Sequence, residues 1–341
     1  MREARDFARR SNRQPGRRPS PFHRGSTGAD LHRRAGVIQI ACERVKRGKK
    51  VMTRFKTVFP YVLLLPTMVW LAVFALYPLG YMVYLSLTSW DLINPNIEFV
   101  GLQNYMNIVN NARFYTMLEN TFIFFLLTVP GTILVSTLLA LWLFKKRLIH
   151  QLATSAIFTP HIISLVSVSM VWLWLMDPSI GLLNYILGWL NLPQSDWIAS
   201  SKTSMLSVAI VSIWKSVGFF TLIILSGLGR ISNEIQEAVK LDSRPNVYTF
   251  FKITLPLLSP TLFFLFFIAS IASFQVFDTI QIMTNGGPAG STTTIVFFIY
   301  DYAFRHFQIG FASAVSIVLM LILALMMTLY FRFISNKVHY Q

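Results

Sequence analysis

The chain has 341 residues, of which 54% are hydrophobic and only 13% are charged. This composition is too apolar for an ordinary soluble domain and is typical of a protein with several membrane spans. The single cysteine, Cys42, excludes an internal disulfide framework, and six scattered histidines beside it suggest neither a metal cluster nor an enzymatic nucleophile. The formal net charge of +16 would suit a nucleic-acid-binding protein only if it were spread over a folded surface.

Most of that charge lies in residues 1–51, which hold 15 Lys and Arg against 4 Asp and Glu. Arg, Pro, Gly and Ser without apolar periodicity predict a basic, disordered N-terminal extension. Because Met52 begins a stretch typical of a membrane-protein N-terminus, the extension is interpreted as an upstream reading of the start site or a dispensable segment. A basic arm on anionic lipid headgroups is the alternative. Acidic residues disfavour a transit peptide, and the absence of interleaved aromatics disfavours nucleic-acid binding.

Residues 52–341 form the predicted transmembrane domain, because six segments have the roughly 20 apolar residues that cross a bilayer. These predicted spans are 59–82, 120–144, 152–176, 204–228, 258–281 and 308–331. Lys215 is the one charge deep inside a span, and a structural role within the bundle is favoured for it over a functional one. An N-terminus on the inside places eleven Lys and Arg after Met52 in inside loops and three outside. The positive-inside rule therefore predicts that both termini are cytoplasmic.

The longest inside loop, residues 230–257, separates the fourth and fifth spans and is called the coupling loop below. Ser232 can cap a short helix that carries Glu234 in its first turn. A second helix can begin near Asn246, with a turn at Ser243, Arg244 and Pro245 between the two, since the residue before proline disfavours helix. The loop is therefore either a solvated interfacial hairpin or a docking surface for a soluble partner.

The spacing of residues in this loop resembles the EAA motif of ABC importer permeases. Glu237-Ala238-Val239, three residues, Ser243, nine residues and Ile253-Thr254-Leu255-Pro256 follow the pattern Glu-Ala-Ala, Gly and Ile-x-Leu-Pro. Val239 replaces the second alanine of the motif. Ser243 replaces a glycine that would allow a positive φ at no steric cost, so the turn geometry at Ser243 is the point where this chain departs from the family.

Further segments resemble the carbohydrate-uptake branch of these permeases. They are Val100-Gly101-Leu102-Gln103-Asn104-Tyr105, Asn120-Thr121, Gly181-Leu182-Leu183-Asn184, Thr284-Asn285-Gly286-Gly287-Pro288 and Gly310-Phe311-Ala312-Ser313-Ala314. The resemblance covers about residues 59–335. It implies an all-α, polytopic membrane protein with six transmembrane helices in the type I ABC importer permease fold, located in a bacterial-type plasma (inner) membrane.

The resemblance also implies the partners. Two permease subunits form the pathway, two cytoplasmic ATPase subunits supply the energy, and an extracytoplasmic binding protein delivers a sugar or polyol. Because no internal duplication supplies both halves of a pathway, a heterodimer with a second permease is expected. The chain lacks a phosphate loop of the type GxxxxGK(S/T), so no cofactor is expected in it, and ATP and Mg²⁺ are expected on the ATPase partner. Glycerol-3-phosphate or another polyol is the alternative solute.

In this hypothesis the first helix of the coupling loop enters a groove on the ATPase, where Glu237 pairs with a basic group and Ala238 allows close approach. The motif also assigns Val239, Asp242, Ser243, Ile253, Leu255 and Pro256 to this coupling region. A rigid turn at Leu255-Pro256 would transmit ATPase closure to the spans.

Solute contacts are expected where polar residues interrupt apolar helices, because a sugar needs hydrogen-bonding groups and an aromatic face in a water-filled cavity. The candidates are Asn120, Ser270, Ser273 and Gln275, with Phe274 as a stacking group. Packing between helices is the other interpretation of the two serines. An autonomous secondary transporter is disfavoured, because the spans lack a mid-membrane carboxylate and an evident inverted repeat.

Overall fold

The computed structural model describes residues 60–93, 96–144, 148–232, 234–235, 237 and 245–334. Within these ranges the regular secondary structure is helical, apart from one isolated antiparallel bridge between Thr88 and Phe99. The helices are α1 Pro60–Ser86, α2 Gln103–Val109, α3 Ala112–Leu143, α4 Leu148–Ile162, α5 Leu165–Leu175, α6 Leu182–Trp189, α7 Ser204–Gly229, α8 Val247–Phe274, α9 Asp278–Met283, α10 Ile295–Tyr300 and α11 Ile309–Ile334. The predicted extension 1–51 lies outside the described residues.

The chain divides into two compact units, Met1–Ala75 and Leu76–Gln341. In the first unit the described residues are helical, and the rings of Trp70 and Phe74 lie 4.2 Å apart. The second unit contains all the helices from α2 onward and the features discussed below. In the part of the chain that the structure describes, five helices are long and apolar enough to span a membrane, and the bent pair α4 and α5 makes a sixth if it counts as one span.

Helix α7 is the centre of the second unit, since it packs against α3, α4 and α8. Its residues Phe220, Ile224 and Leu228 are buried together with Leu258 and Leu265 of α8. Where α7 meets α4 there is no room for a side chain. A Cβ on Gly218 would lie 2.1 Å from the carbonyl oxygen of Ile157, so glycine permits backbone contact between the two helices.

Several motif residues hold the connecting loops rather than a ligand. The buried Asn104 Nδ2 donates to the carbonyl oxygens of Ser86, at 2.9 Å, and Thr88, at 2.8 Å. A Cβ on Gly310 would lie 1.9 Å from that same Thr88 oxygen, so α11 begins in direct backbone contact with this loop. Asn184 similarly donates to the carbonyl of Ser195 at 2.9 Å. Asn104, Asn184 and Gly310 therefore have structural roles.

The predicted third span, 152–176, is not one straight helix. Helix α4 ends at Ile162, α5 begins at Leu165, and their axes differ by 100°. Pro160 lacks the amide hydrogen that a helix requires, and Ser164 has an extended backbone with ψ 135°, so the helical hydrogen bonds stop here. The apolar run from 152 to 176 indicates only that the segment is long enough to cross a membrane. A bent pair of helices is compatible with the same run.

The fifth span also differs from the prediction of 258–281. It runs from Val247 to Phe274, and the chain turns at Gln275 before the separate helix α9. The expected turn at Leu255-Pro256 is absent. These two residues lie inside this helix, directly after its π-helical segment, Phe250–Thr254. The wider π turn changes the hydrogen-bond register just before Pro256, which has no amide hydrogen to donate.

The second span begins earlier than the predicted residue 120. Helix α3 starts at Ala112, because the Asn111 side chain caps it by accepting a hydrogen bond from the Arg113 amide at 3.0 Å. The extra two turns lie beyond the length a bilayer core requires. Helices α7 and α11 cover the stretches predicted at 204–228 and 308–331.

Candidate functional site: a polar cavity and the coupling loop

A cavity of about 340 Å³ lies between α3, α7, the end of α8, the start of α9 and the bend between α4 and α5. Aromatic rings and methyl groups form much of its wall, and hydroxyl, amide and charged groups are interspersed among them. The lining residues are Phe124, Thr128, Val129, Thr132, His161, Leu165, Ser212, Lys215, Ser216, Phe220, Ala269, Ala272, Ser273, Gln275, Val276, Phe277, Asp278 and Thr279. Such a mixture suits a small polyhydroxylated molecule.

Two facing helices contribute polar groups at helical spacing. Thr128 and Thr132 are one turn apart on α3, and Ser212 and Ser216 are one turn apart on α7. The Thr128 hydroxyl donates to the Phe124 carbonyl at 2.7 Å, so its oxygen lone pairs remain available as acceptors. The solute residues predicted from sequence did not include these four. Their i, i+4 spacing on two apolar helices is the signal that would have found them.

Lys215 lies where the cavity meets the bend of the third span. Its Nζ donates to the carbonyl oxygens of Pro160 at 3.2 Å, His161 at 3.3 Å and Ile163 at 2.6 Å. Pro160 and His161 lie in the last turn of α4, and Ile163 follows directly after it. The structure thus supports the interpretation that Lys215 is paired within the bundle, with backbone carbonyls as its partners.

The open side of the cavity carries Gln275 and Asp278. Gln275 is the C-cap residue of α8, and Asp278 is in the first turn of α9. Both side chains are exposed in this chain. The break between α8 and α9 therefore places an amide and a carboxylate at the edge of the cavity.

The five predicted solute residues divide between this cavity and other places. Ser273 and Gln275 line it. Ser270 is buried and donates to the Phe266 carbonyl at 2.7 Å. Phe274 packs in an apolar cluster with Phe298 and Phe311, away from the cavity lining.

Asn120 lies at a different contact. Its Nδ2 donates to the carbonyl oxygens of Gly290, at 2.9 Å, and Thr293, at 3.1 Å. The neighbouring Thr121 hydroxyl accepts a hydrogen bond from the Ile295 amide at 3.0 Å. These two residues clamp the 284–294 loop onto α3.

The coupling loop is described only in part. Glu234, Ile235 and Glu237 are helical, and the Ile235 amide contacts the Ser232 hydroxyl at 3.4 Å, in the position of the predicted cap. The Glu237 side chain is exposed. Ala238, Val239, Asp242 and Ser243 lie outside the described residues, so the turn at Ser243 stays a prediction.

The start of α8, which forms the last part of this loop, presents apolar side chains. Val247 is 68% exposed and Phe251 is 59% exposed, while Ile253, Leu255 and Pro256 are half-buried. Large exposed apolar groups next to exposed charges such as Lys252 are typical of a surface that meets another protein or the membrane.

Comparisons with known proteins agree with this architecture. The family model for a binding-protein-dependent transport system inner membrane component matches residues 106–340. The sn-glycerol-3-phosphate transport system permease protein UgpA of Pectobacterium atrosepticum is 31% identical over 85% of this chain and 100% of its own length. The probable ABC transporter permease protein YurN of Bacillus subtilis is 30% identical over 82% of this chain and 98% of its own.

Among solved structures, one chain of a bacterial alginate ABC transporter, in complex with an alginate pentasaccharide-bound periplasmic protein, has the same fold. Its TM-score is 0.71 at 21% identity, covering 82% of this chain and 94% of that chain. The family match spans more than half of the sequence and includes the cavity and the coupling loop. The chain therefore belongs to the inner membrane components of binding-protein-dependent transport systems and is a multi-pass permease of an ABC importer, not an enzyme.

Proposed function

We propose that this permease translocates an uncharged sugar or polyol, delivered by an extracytoplasmic binding protein, through the cavity at the bend of the third span. The observation that carries the proposal is the cavity lining, where hydroxyl and amide groups of Thr128, Ser216 and Gln275 accompany the rings of Phe124 and Phe277. Sugars bind through hydrogen bonds at their edges and apolar contact at their faces. A lining that offers both is complementary to this class of solute.

Charge distribution favours an uncharged solute. Lys215 has three ammonium hydrogens, and three backbone carbonyls lie within hydrogen-bond distance of its nitrogen. Asp278, at the open edge, would repel an anion. Among the described lining residues, therefore, no free cationic donor faces the cavity.

Glycerol-3-phosphate is the second candidate. The similarity to UgpA, whose name identifies it as a glycerol-3-phosphate permease, favours it. A phosphate requires a free cationic or backbone donor, which would have to come from the partner subunit or from release of Lys215. Transport of glycerol-3-phosphate therefore requires a phosphate-binding donor, whereas transport of a neutral sugar or polyol does not.

The energy for transport is proposed to come from two ATPase subunits, one of them docked on the coupling loop, with ATP and Mg²⁺ bound there. Exposed Glu237 and the apolar surface of Val247 and Phe251 support this docking. The exposed side of the cavity supports a second, homologous permease as the other half of the pathway. This assembly requires the coupling loop and both termini to be cytoplasmic, as the distribution of Lys and Arg indicates.

The test is to reconstitute the complete complex in proteoliposomes and measure uptake and solute-stimulated ATP hydrolysis. Neutral monosaccharides, oligosaccharides and glycerol would be compared with sn-glycerol-3-phosphate, each with the cognate binding protein. Stimulation by a neutral solute supports the proposal. Stimulation by the phosphate ester alone would overturn it in favour of the second candidate.

A matched pair of variants tests the location of the pathway. Ser273→Ala removes a hydroxyl from the cavity wall, whereas Ser270→Ala, three residues earlier on α8, removes one that does not line the cavity. Each hydroxyl donates to a carbonyl of its own helix, so both variants lose the same kind of hydrogen bond. We expect the KM for solute to rise more in Ser273→Ala than in Ser270→Ala. The reverse order would place the pathway elsewhere.

A further inference from the structure

The bend of the third span creates an energetic problem inside the membrane. A helix end leaves its last carbonyls without intrahelical partners, and hydrocarbon offers them no water. The carbonyls of Pro160, His161 and Ile163 are at such an end, because α4 stops at Ile162 and α5 continues at 100° to it. The freed carbonyls at this bend therefore take their donors from another helix or from water in the cavity that His161 lines.

Lys215 of α7 supplies those donors. One ammonium group carries three hydrogens, and its nitrogen is 3.2, 3.3 and 2.6 Å from the three carbonyl oxygens. The C-terminal end of a helix is also the negative end of its dipole, which stabilises a cation. The charge and the broken helix end therefore satisfy each other, although each would be unfavourable in the membrane without the other.

The next turn of α7 also contacts the end of α4. Gly218 allows its backbone to contact Ile157 and Phe158 directly. The ring of Phe219 stacks on His161, with centroids 4.7 Å apart and planes 9° apart. Three residues within five positions of α7 thus contact the segment that precedes the bend, and His161 and Lys215 both line the cavity.

We propose that Lys215 is a positioning residue that locks the bent third span onto α7 and thereby sets the shape of the solute cavity. The lock itself depends only on contacts within this chain. Its effect on transport rests on the proposed function, because it assumes that the solute occupies this cavity. Lys215 acts through the backbone of α4 and does not itself bind the solute.

The position of the bend can be measured without any solute. Spin labels at Leu152 of α4 and Val171 of α5, both exposed, report the distance across the bend in a complex whose Cys42 has been replaced by serine. We expect a narrow distance distribution for the unmodified lysine and for Lys215→Arg, which keeps a charged donor. Lys215→Met removes all three hydrogen bonds and should broaden or shift the distribution. An unchanged distribution in Lys215→Met would overturn the lock.

Uptake is then measured per assembled complex. The KM of Lys215→Met for solute should rise by about tenfold, because a displaced cavity wall would lose about one hydrogen bond to the solute. Lys215→Arg should have a KM close to that of the unmodified protein. The control Lys202→Met makes the same chemical change on an exposed loop and should leave uptake unchanged. Gly218→Ala, which displaces α4 without altering charge, should reproduce the broadened distribution and the higher KM.

The outcomes separate this proposal from the proposed function. A broadened distribution with normal uptake would overturn the claim that the bend shapes the solute cavity, while leaving the lock in place. Lost uptake with an unchanged distribution would overturn the positioning role and assign Lys215 to direct solute contact. Failure of every neutral solute to be transported by the unmodified complex, with the distance results as expected, would count against the proposed solute and not against the lock.

Discussion

Replacing Asn120 with alanine distinguishes a loop clamp from a solute contact. The side chain is 8% exposed and makes two hydrogen bonds, at 2.9 and 3.1 Å, to the carbonyls of Gly290 and Thr293. A neutral hydrogen bond contributes about 1 kcal/mol net, and a carbonyl that loses its donor away from water costs about 1–3 kcal/mol. The Gly290 carbonyl would keep the Thr293 amide as a donor at 3.2 Å, so this second cost applies to the Thr293 carbonyl. We therefore expect Asn120→Ala to lower the free energy of unfolding by about 2–3 kcal/mol, since part of each loss is recovered by relaxation of the loop.

The assay combines thermal unfolding of the purified complex with uptake kinetics in proteoliposomes. A clamp predicts a lower unfolding temperature and, in the protein that remains folded, a KM for solute within about twofold of the unmodified value. Asn107→Ala, an exposed asparagine on α2, is the matched control and should change neither quantity. An unchanged unfolding temperature with a KM raised about tenfold would refute this reasoning and return Asn120 to the solute pathway.

Three further substitutions test other parts of the structure. Glu237→Lys reverses an exposed charge of the coupling loop and should abolish uptake and solute-stimulated ATP hydrolysis, since losing an interfacial charge pair costs about 2–5 kcal/mol; survival of both activities would exclude the docking role. Gly310→Ala places a Cβ 1.9 Å from the Thr88 carbonyl oxygen, and the forced shift should cost about 1–3 kcal/mol in unfolding measurements. Backbone amides, first that of Ile180, lower the pKa of Asp177 below its ordinary value of 3.8. Its stabilisation is therefore present above that value and lost as pH falls through the folded pKa. The unfolding temperatures of Asp177→Ala and the unmodified protein should differ above pH 3.8 and converge below it, and a difference that grew in acid would contradict the assignment.

The membrane class, the approximate spans and the family could be predicted from the sequence because each depends on local information. Apolar length specifies a span without reference to its neighbours. The spacing from Glu237 to Pro256 predicts the coupling loop, and Ser232 lies at the predicted helix cap. These features require no knowledge of which helices pack together.

Residue roles within the spans required the tertiary structure. Asn120 and Ser273 are both polar interruptions of apolar helices, yet one clamps a loop and the other lines the cavity. Hydropathy does not record which way a side chain faces or what it meets. For the same reason the polar pairs on α3 and α7 were missed, although their spacing was visible.

The class of the protein, its family and the approximate positions of its spans therefore follow from the chain alone, since apolar length and residue spacing are local properties. Only the tertiary structure decided that the third span is bent and that Lys215 satisfies the carbonyls at the bend. An intramembrane lysine and a broken helix end are each unfavourable in a membrane when considered separately. Their pairing joins residues more than 50 positions apart, and packing against α7 is what brings them together.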